Sequence, residues 1–457
     1  MPADPKKLVL IVIDGLTPSM FERAVTGGSP ALAALAERGS YGRATSTFPS
    51  LTPVCLSSIA TGAHPDVHEI PHLVWFKRGE RRVVEYGSSF GAIRAAGARR
   101  SILDTIFNMN AAHLGKDAVT VYEALEDAGY TTAAVNMTCY RGRTPHRPLV
   151  PGFGRVAYGP KRFFYYSLFE SDRTGAPIAV RNRAESSVDA YAAAVGRWLV
   201  TRDGFDFLVY YLPDYDFASH VAGPDAADAA LGRSDEAIGV LLAAAGGIDA
   251  FLDRYDVLLL ADHGQTHVAS AVRLQDTYAD FRLFNRRRTD AELVVTASNR
   301  AGMVYVLPGC DAEPRDLALR LDAGDVAESA LFLEGGAAVL RRDGEELRFA
   351  RSSDGWETSG DDNLVADYPD ALARGWAALH DPNAGELIVS AAPGVEFADL
   401  AGRHHAGGGS HGSLAAGDST VPVLAVGVEA DIASIVDVAP AVLAHFGVEA
   451  PAYARAA

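Results

Sequence analysis

Leu8-Val-Leu-Ile-Val-Ile13 is an unbroken apolar run, closed by Asp14-Gly15. A run of strand length with no polar alternation reads as a strand buried on both faces, the situation of a parallel sheet covered by helices. The pattern recurs at Phe207–Leu212 and at 257–261, and in shorter form at 131–135 and 421–426. Between these runs, 30–38, 54–59, 119–128, 184–200, 226–245 and 435–446 carry helical periodicity. Strands alternating with helices predict an α/β fold, a three-layer α/β/α sandwich around a mainly parallel sheet.

Two stretches break the alternation. Residues 141–181 are rich in Arg, Tyr, Phe, Gly and Pro and read as a loop-rich excursion. Residues 272–395 mix short alternating runs, at 302–307 and 337–340, with turn signals, and read as an inserted α+β cap. The expected division is therefore a catalytic domain of 1–271 and 396–457 interrupted by a cap of 272–395. A chain of 457 residues is long enough to need that division.

Composition narrows the function. Apolar residues at 48% and charged residues at 22% are those of a globular protein. A net charge of −17 argues against holding duplex nucleic acid or an anionic membrane, which takes an excess of Lys and Arg. Small phosphate esters stay open, because bound cations reverse the local sign. Cys55, Cys139 and Cys310 form no paired framework, which points to a reducing compartment. The apolar run from Leu8 is too short for a secretory signal or a membrane span and is interrupted by Asp14, so a cytoplasmic protein is expected.

Chemistry-bearing residues gather where such a fold presents them, at strand ends and in the loops just beyond. Asp14 follows the first run; in open α/β sheets ligands collect past the carboxyl ends of strands. Asp216 and His220 follow Phe207–Leu212 at a spacing of four, which puts both on one face of a helical turn. Asp214 is their rival. Asp262-His263-Gly264 closes the 257–261 run, with His267 nearer the rim. His411 lies in Gly407-Gly-Gly-Ser-His-Gly412, where glycines permit close backbone approach, and His404 and His405 are alternatives. Thr52 precedes a helix in Phe48-Pro-Ser-Leu-Thr-Pro53; it reads as a cap or as a hydroxyl nucleophile, with Thr47, Ser50, Ser57 and Ser58 as competitors. Three carboxylates and three imidazoles suffice for two divalent cations.

In order, these segments resemble the alkaline phosphatase superfamily, and within it the nucleotide pyrophosphatase/phosphodiesterase (type I phosphodiesterase) branch. The resemblance rests on Ile11-Val-Ile-Asp-Gly15, Phe48-Pro-Ser-Leu-Thr52 with Thr61-Gly62 and Pro65-Asp-Val-His68, Asp216 to His220 with Gly223-Pro224, Asp262-His263-Gly264, and Ser410-His-Gly412. It implies one zinc held by Asp216, His220 and His411, a second held by Asp14, Asp262 and His263, and Thr52 between them. It further implies hydrolysis of a phosphodiester or pyrophosphate bond in a nucleotide or related small molecule, through a phospho-enzyme on Thr52. The alternatives are a phosphomonoesterase, a phosphonate hydrolase of the phosphonoacetate type, or a phosphoglycerate mutase-like phosphotransferase, whose serine nucleophile counts against it here. Nucleotide-cleaving members carry an Asn soon after the segment matching His68-Glu-Ile70, whereas this chain reads Pro71-His-Leu-Val-Trp-Phe76. His72, Arg141 and Arg143 are the candidates to contact phosphate instead. The expected partner is a small phosphate ester, with monomer and homodimer both open.

Overall fold

The computed structural model describes residues 5–149, 154–171, 187–286, 288–323 and 326–455. Its main sheet has eight strands: β1 (Lys7–Ile13), β2 (Ser40–Thr45), β3 (Thr132–Val135), β4 (Arg162–Tyr165), β5 (Phe169–Glu170), β6 (Phe207–Leu212), β7 (Tyr255–Leu260) and β8 (Thr420–Val426). Their order is β2-β8-β7-β1-β6-β3-β4-β5. The strands from β7 to β4 run parallel. β8 is antiparallel to both β7 and β2, and β5 folds back on β4.

β1 is central for the reason its sequence gives. Leu8 to Ile13 are all buried, so both pleat faces need covering. One layer of helices packs together from Pro18–Gly27, Pro30–Ala36, Val188–Thr201 and Asp228–Ala245. The other comes from Thr52–Thr61, Val121–Asp127 and Val438–His445. The result is a mixed α/β fold on a large, mostly parallel sheet. Residues 184–186 of the helix expected at 184–200 lie outside the described residues; the described helix begins at Val188 after Ser187, whose hydroxyl caps it.

The expectation for 141–181 needs correction. Thr144–His146 pairs with Ala157–Gly159, and β4 and β5 extend the main sheet. Aromatic residues drive this: Phe163, Phe164 and Phe169 are fully buried, and Phe163 packs against Tyr140 at 4.5 Å. Flanking Gly and Pro hid these short strands from a periodicity reading. Residues 172–181 of that stretch lie outside the described residues.

A second sheet of seven antiparallel strands follows β7. Its order is Leu293–Ser298, Ala301–Val306, Leu387–Ala391, Ala327–Glu334, Ala337–Arg342, Glu345–Ser352, Gly355–Gly360. The turn between its first two strands reaches back to the loop before β8, where Arg300 N–H donates to the His411 carbonyl at 2.7 Å. Among the described residues, no helix is long and apolar enough to cross a membrane.

Candidate functional site

Strand register brings the site together. Ile13 lies beside Leu212 and Val12 beside Leu260, so β1, β6 and β7 end at one level. Asp14, the helix Asp214–Ala222 and Asp262-His263 therefore leave the sheet at the same edge. On that helix the spacing of four sets His220 Nε2 at 3.3 Å from Asp216 Oδ2. The glycine-rich loop closes the site from the side: a Cβ at Gly408 would overlap the His220 carbonyl, and one at Gly409 the Gln265 side chain. Only glycines let this loop lie so close to the helix.

Asp14, Asp216, Asp262, His263 and His411 are buried, and His220 is nearly so. Ligand atoms of Asp14, Asp262 and His263 lie within 4.8 Å of one another, as do those of Asp216, His263 and His411. His263 thus stands in both groups. His220 joins through Asp216, and its ring centre is 5.2 Å from that of His411.

The donor set fits cations on three counts. First, each imidazole has Nδ1 committed to a backbone carbonyl: His411 to Ser50 at 2.7 Å, His220 to Gly409 at 2.8 Å, His263 to Gly264 at 3.0 Å. Nδ1 is then the N–H donor, and every Nε2 turns a lone pair inward. Second, Asp14 Oδ1 and Asp262 Oδ2 are buried with no hydrogen-bond donor, at 3.3 and 3.5 Å from His263 Nε2. Buried lone pairs that converge without a donor call for a cation, or for protons in its place. Third, the carboxyls of Asp14 and Asp262 are pushed up, first by burial, and Asp14 further by repulsion from Asp262 and Asp216. Asp216 goes the other way: burial opposes its charge, but His220, His411 and His263 outweigh it.

Thr52 opens the helix Thr52–Thr61 and is not its cap; Leu51 holds that position, and no side chain caps the helix. The hydroxyl is instead free to face the site, donating to His263 Nε2 at 3.1 Å. Its competitors are occupied elsewhere. Ser50 donates to the Ser413 carbonyl, Ser57 to that of Pro53, and Ser58 contacts His68 and Thr47. Asp214 accepts from Val188 N–H and Ser187 at the start of another helix. His404 is exposed. His405 pairs with buried Glu396 at 3.1 Å and stacks on His220, with ring centres 4.0 Å apart.

No hydrogen bond or ion pair joins the three candidate phosphate contacts to the cluster of carboxylates and imidazoles among the described residues. Arg141 is spent on Glu123 at 3.1 Å and on the carbonyls of Leu114, Gly115 and Ala118. Arg143 pairs with Glu123 and Asp127. Both serve the Val121–Asp127 helix, because buried Glu123 needs the counter-charge. His72 is buried, accepts from Val74 N–H at 2.9 Å, and is held neutral by burial, its pKa lowered to about 4.

Sequence reading missed four neighbours. Tyr211 donates to Asp14 Oδ2, and Gln265 to Asp216 Oδ1. Ser219 donates in turn to Gln265. Asn299, at the turn of the second sheet's first hairpin with φ +57°, donates its amide to His411 Nε2 at 2.9 Å. Asn in a left-handed turn position was the one local signal available for it.

Residues 8–414 match the family model for type I phosphodiesterase / nucleotide pyrophosphatase. No curated protein matches the chain significantly. Among solved structures, murine ectonucleotide pyrophosphatase / phosphodiesterase 5 aligns with a TM-score of 0.61 at 12% identity, over 97% of this chain and 96% of that one. Phosphonoacetate hydrolase from Sinorhizobium meliloti 1021, in complex with phosphonoacetate, aligns with a TM-score of 0.62 at 17% identity, over 97% of each chain. At such identities the likeness is one of fold.

Proposed function

Because the chain belongs to the type I phosphodiesterase / nucleotide pyrophosphatase family, we propose that it hydrolyses phosphodiester or pyrophosphate bonds of small molecules through Thr52. The observation that carries this reading is the Thr52 hydroxyl 3.1 Å from an imidazole that belongs to two overlapping groups of buried cation ligands. Asp14, Asp262 and His263 would hold one divalent cation, and Asp216, His220 and His411 the other; zinc suits such mixed oxygen and nitrogen donors. When bound, the cations supply charge neutralisation, Lewis acidity and a lowered pKa for hydroxyl groups and water.

The chain's own residues account for the rest. Thr52 Oγ attacks phosphorus as the bond to the leaving oxygen breaks, and the Thr52 hydroxyl proton passes through solvent water to that oxygen. A water then attacks the same phosphorus, the P–Oγ bond breaks, and Thr52 Oγ takes a proton from that water. The transferred group sits at the first turn of Thr52–Thr61, where the helix dipole favours negative charge. The Asn299 amide, 2.9 Å from His411 Nε2, is a neutral donor available to a phosphoryl oxygen.

The test is direct. Thr52→Ala is expected to keep two metal ions per chain and lose turnover, and wild-type protein quenched during turnover to carry a phosphoryl group on Thr52. An active Thr52→Ala variant, or an adduct elsewhere, overturns the assignment. A second reading, phosphonate hydrolysis, is favoured by the missing Asn at 71–76 and by the fold shared with phosphonoacetate hydrolase. Relative kcat/KM for bis-nitrophenyl phosphate, nitrophenyl phosphate and phosphonoacetate decides between the two.

A further inference from the structure

A concentration of positive charge lies apart from the acidic centre. Arg81, Arg82, Arg100, Arg286 and Arg288 line one cavity of about 620 Å³, in which Glu80 is the acidic lining residue. Three separate pieces of chain meet there. Arg81 and Arg82 lie where Val74–Lys77 turns back into Arg82–Glu85, Arg100 is in the helix Ala98–Leu103, and Arg286 and Arg288 precede the strand Leu293–Ser298. The approach is close: a Cβ on Gly97 would stand 3.1 Å from Arg286 Nη1.

Ion pairing sets this group apart. Glu80 is already taken by Lys77 at 2.7 Å and by Arg82 at 2.6 Å, and Arg82 also holds buried Asp104. Among the described residues, none of Arg81, Arg100, Arg286 and Arg288 has a carboxylate within ion-pair distance. Elsewhere arginines find acids readily, as Arg43 does with Glu22 and Arg315 with Glu334 and Glu346. In a chain of net charge −17, four guanidinium groups left without counter-charge around one concavity form a site that an anion would neutralise.

We propose that this cavity is a second anion site and takes a small, multiply phosphorylated molecule. Guanidinium groups meet phosphate oxygens with paired N–H donors, and several around one cavity match a chain of phosphates better than a single one. The volume suits a nucleotide-sized ligand. The chain's net charge of −17 works against a long nucleic acid. The cavity is also linked along the chain to the proposed catalytic centre. Leu400 lines it, and the same loop runs on to His405, which stacks on His220. An anion seated among the arginines therefore touches one end of the loop whose other end flanks a proposed metal ligand.

Calorimetric titration of the metal-loaded, full-length protein with inorganic tripolyphosphate tests this, compared with Arg100→Glu/Arg286→Glu and with the milder Arg100→Gln/Arg286→Gln. The wild type is expected to show a binding class beyond the one that competes with substrate. That class should weaken by at least about tenfold in the Glu variant and less in the Gln variant, and should weaken with added salt. Hydrolysis of a small nitrophenyl ester should be unchanged in both variants, which shows that they fold. If the extra class is absent, or equal in wild type and variants, the proposal is wrong, whether or not the enzyme turns over. Given the class, a raised KM confined to polyphosphate-bearing substrates identifies it as a seat for the substrate's own tail. A kcat altered by tripolyphosphate without competition identifies a separate effector.

Discussion

Tyr211, Gln265 and Asn299 each donate a hydrogen bond to an atom that would otherwise face a cation or another lone pair. The first two stay useful with metals bound, since each fixes one carboxylate oxygen and turns the other inward. Asn299 differs, because the His411 Nε2 it now occupies is a proposed ligand atom. A cation engaging that lone pair would release the amide toward the reacting group. Asn299→Ala is therefore expected to weaken inhibition by inorganic phosphate and raise KM by about tenfold, the worth of a hydrogen bond to a charged group. Metal content by elemental analysis should not change. A fall in metal content instead would make Asn299 a support for His411 rather than a contact for substrate. The residues legible in the sequence were those that local pattern marks: Asp14 and Asp262 at the ends of apolar runs, and His411 among glycines. Asn299 lies 112 positions from His411, and no period or spacing joins them.

The second sheet's first hairpin is the element that carries Asn299 in, and its anchor is the neighbouring residue. Arg300 is 3% exposed and Asp418 0%; one guanidinium nitrogen reaches both carboxylate oxygens, at 2.8 and 2.9 Å. Arg300 also donates to Thr266 at 2.7 Å and to the carbonyls of Val395, Ala391 and Ala392. Removing one partner of such a pair strands the other charge in the interior. Arg300→Ala or Asp418→Ala is accordingly expected to cost about 3–5 kcal/mol in urea unfolding, and the double variant Arg300→Met/Asp418→Leu less than either single. If the single variants cost under about 1 kcal/mol, the pair is no anchor. Periodicity revealed the elements of the main sheet because strands buried on both faces read as unbroken apolar runs. It missed β4 and β5, whose aromatic residues sit among Gly and Pro, and it gave no pairing for the second sheet. Strand order there depends on contacts such as Ala301 with Ser390. A parallel direction for β8 is also what alternation alone would assign, whereas it runs antiparallel, because the chain returns from the second sheet at the edge where β7 ends.

At the scale of the molecule, the fold buries three carboxylates at one end of its sheet, and that arrangement couples stability to both metal and pH. Burial and mutual repulsion raise Asp14 and Asp262, so without metal the folded chain keeps protons that the unfolded chain has released above about pH 4. A raised carboxyl stabilises in acid, and that contribution is lost as pH climbs toward its folded value. His220, raised by Asp216 against the effect of burial, loses its contribution in the same direction. Asp216 is lowered, so its contribution fails only in strong acid. Buried neutral His64, His68 and His72 push oppositely, favouring the folded state as pH rises toward their unfolded value. They lie outside the ligand set and act alike with and without metal, so the difference between the two forms isolates the site. A metal held as proposed would displace the protons on Asp14, Asp262 and His220, and its binding free energy would add to folding. The Tm gained on loading at fixed free zinc is therefore expected to grow from about pH 6 to about pH 8, with protons released on binding. Calorimetry in buffers of differing ionisation enthalpy counts those protons. A gain that shrinks as pH rises, or no release, would mean these carboxylates are not the seat of the metal.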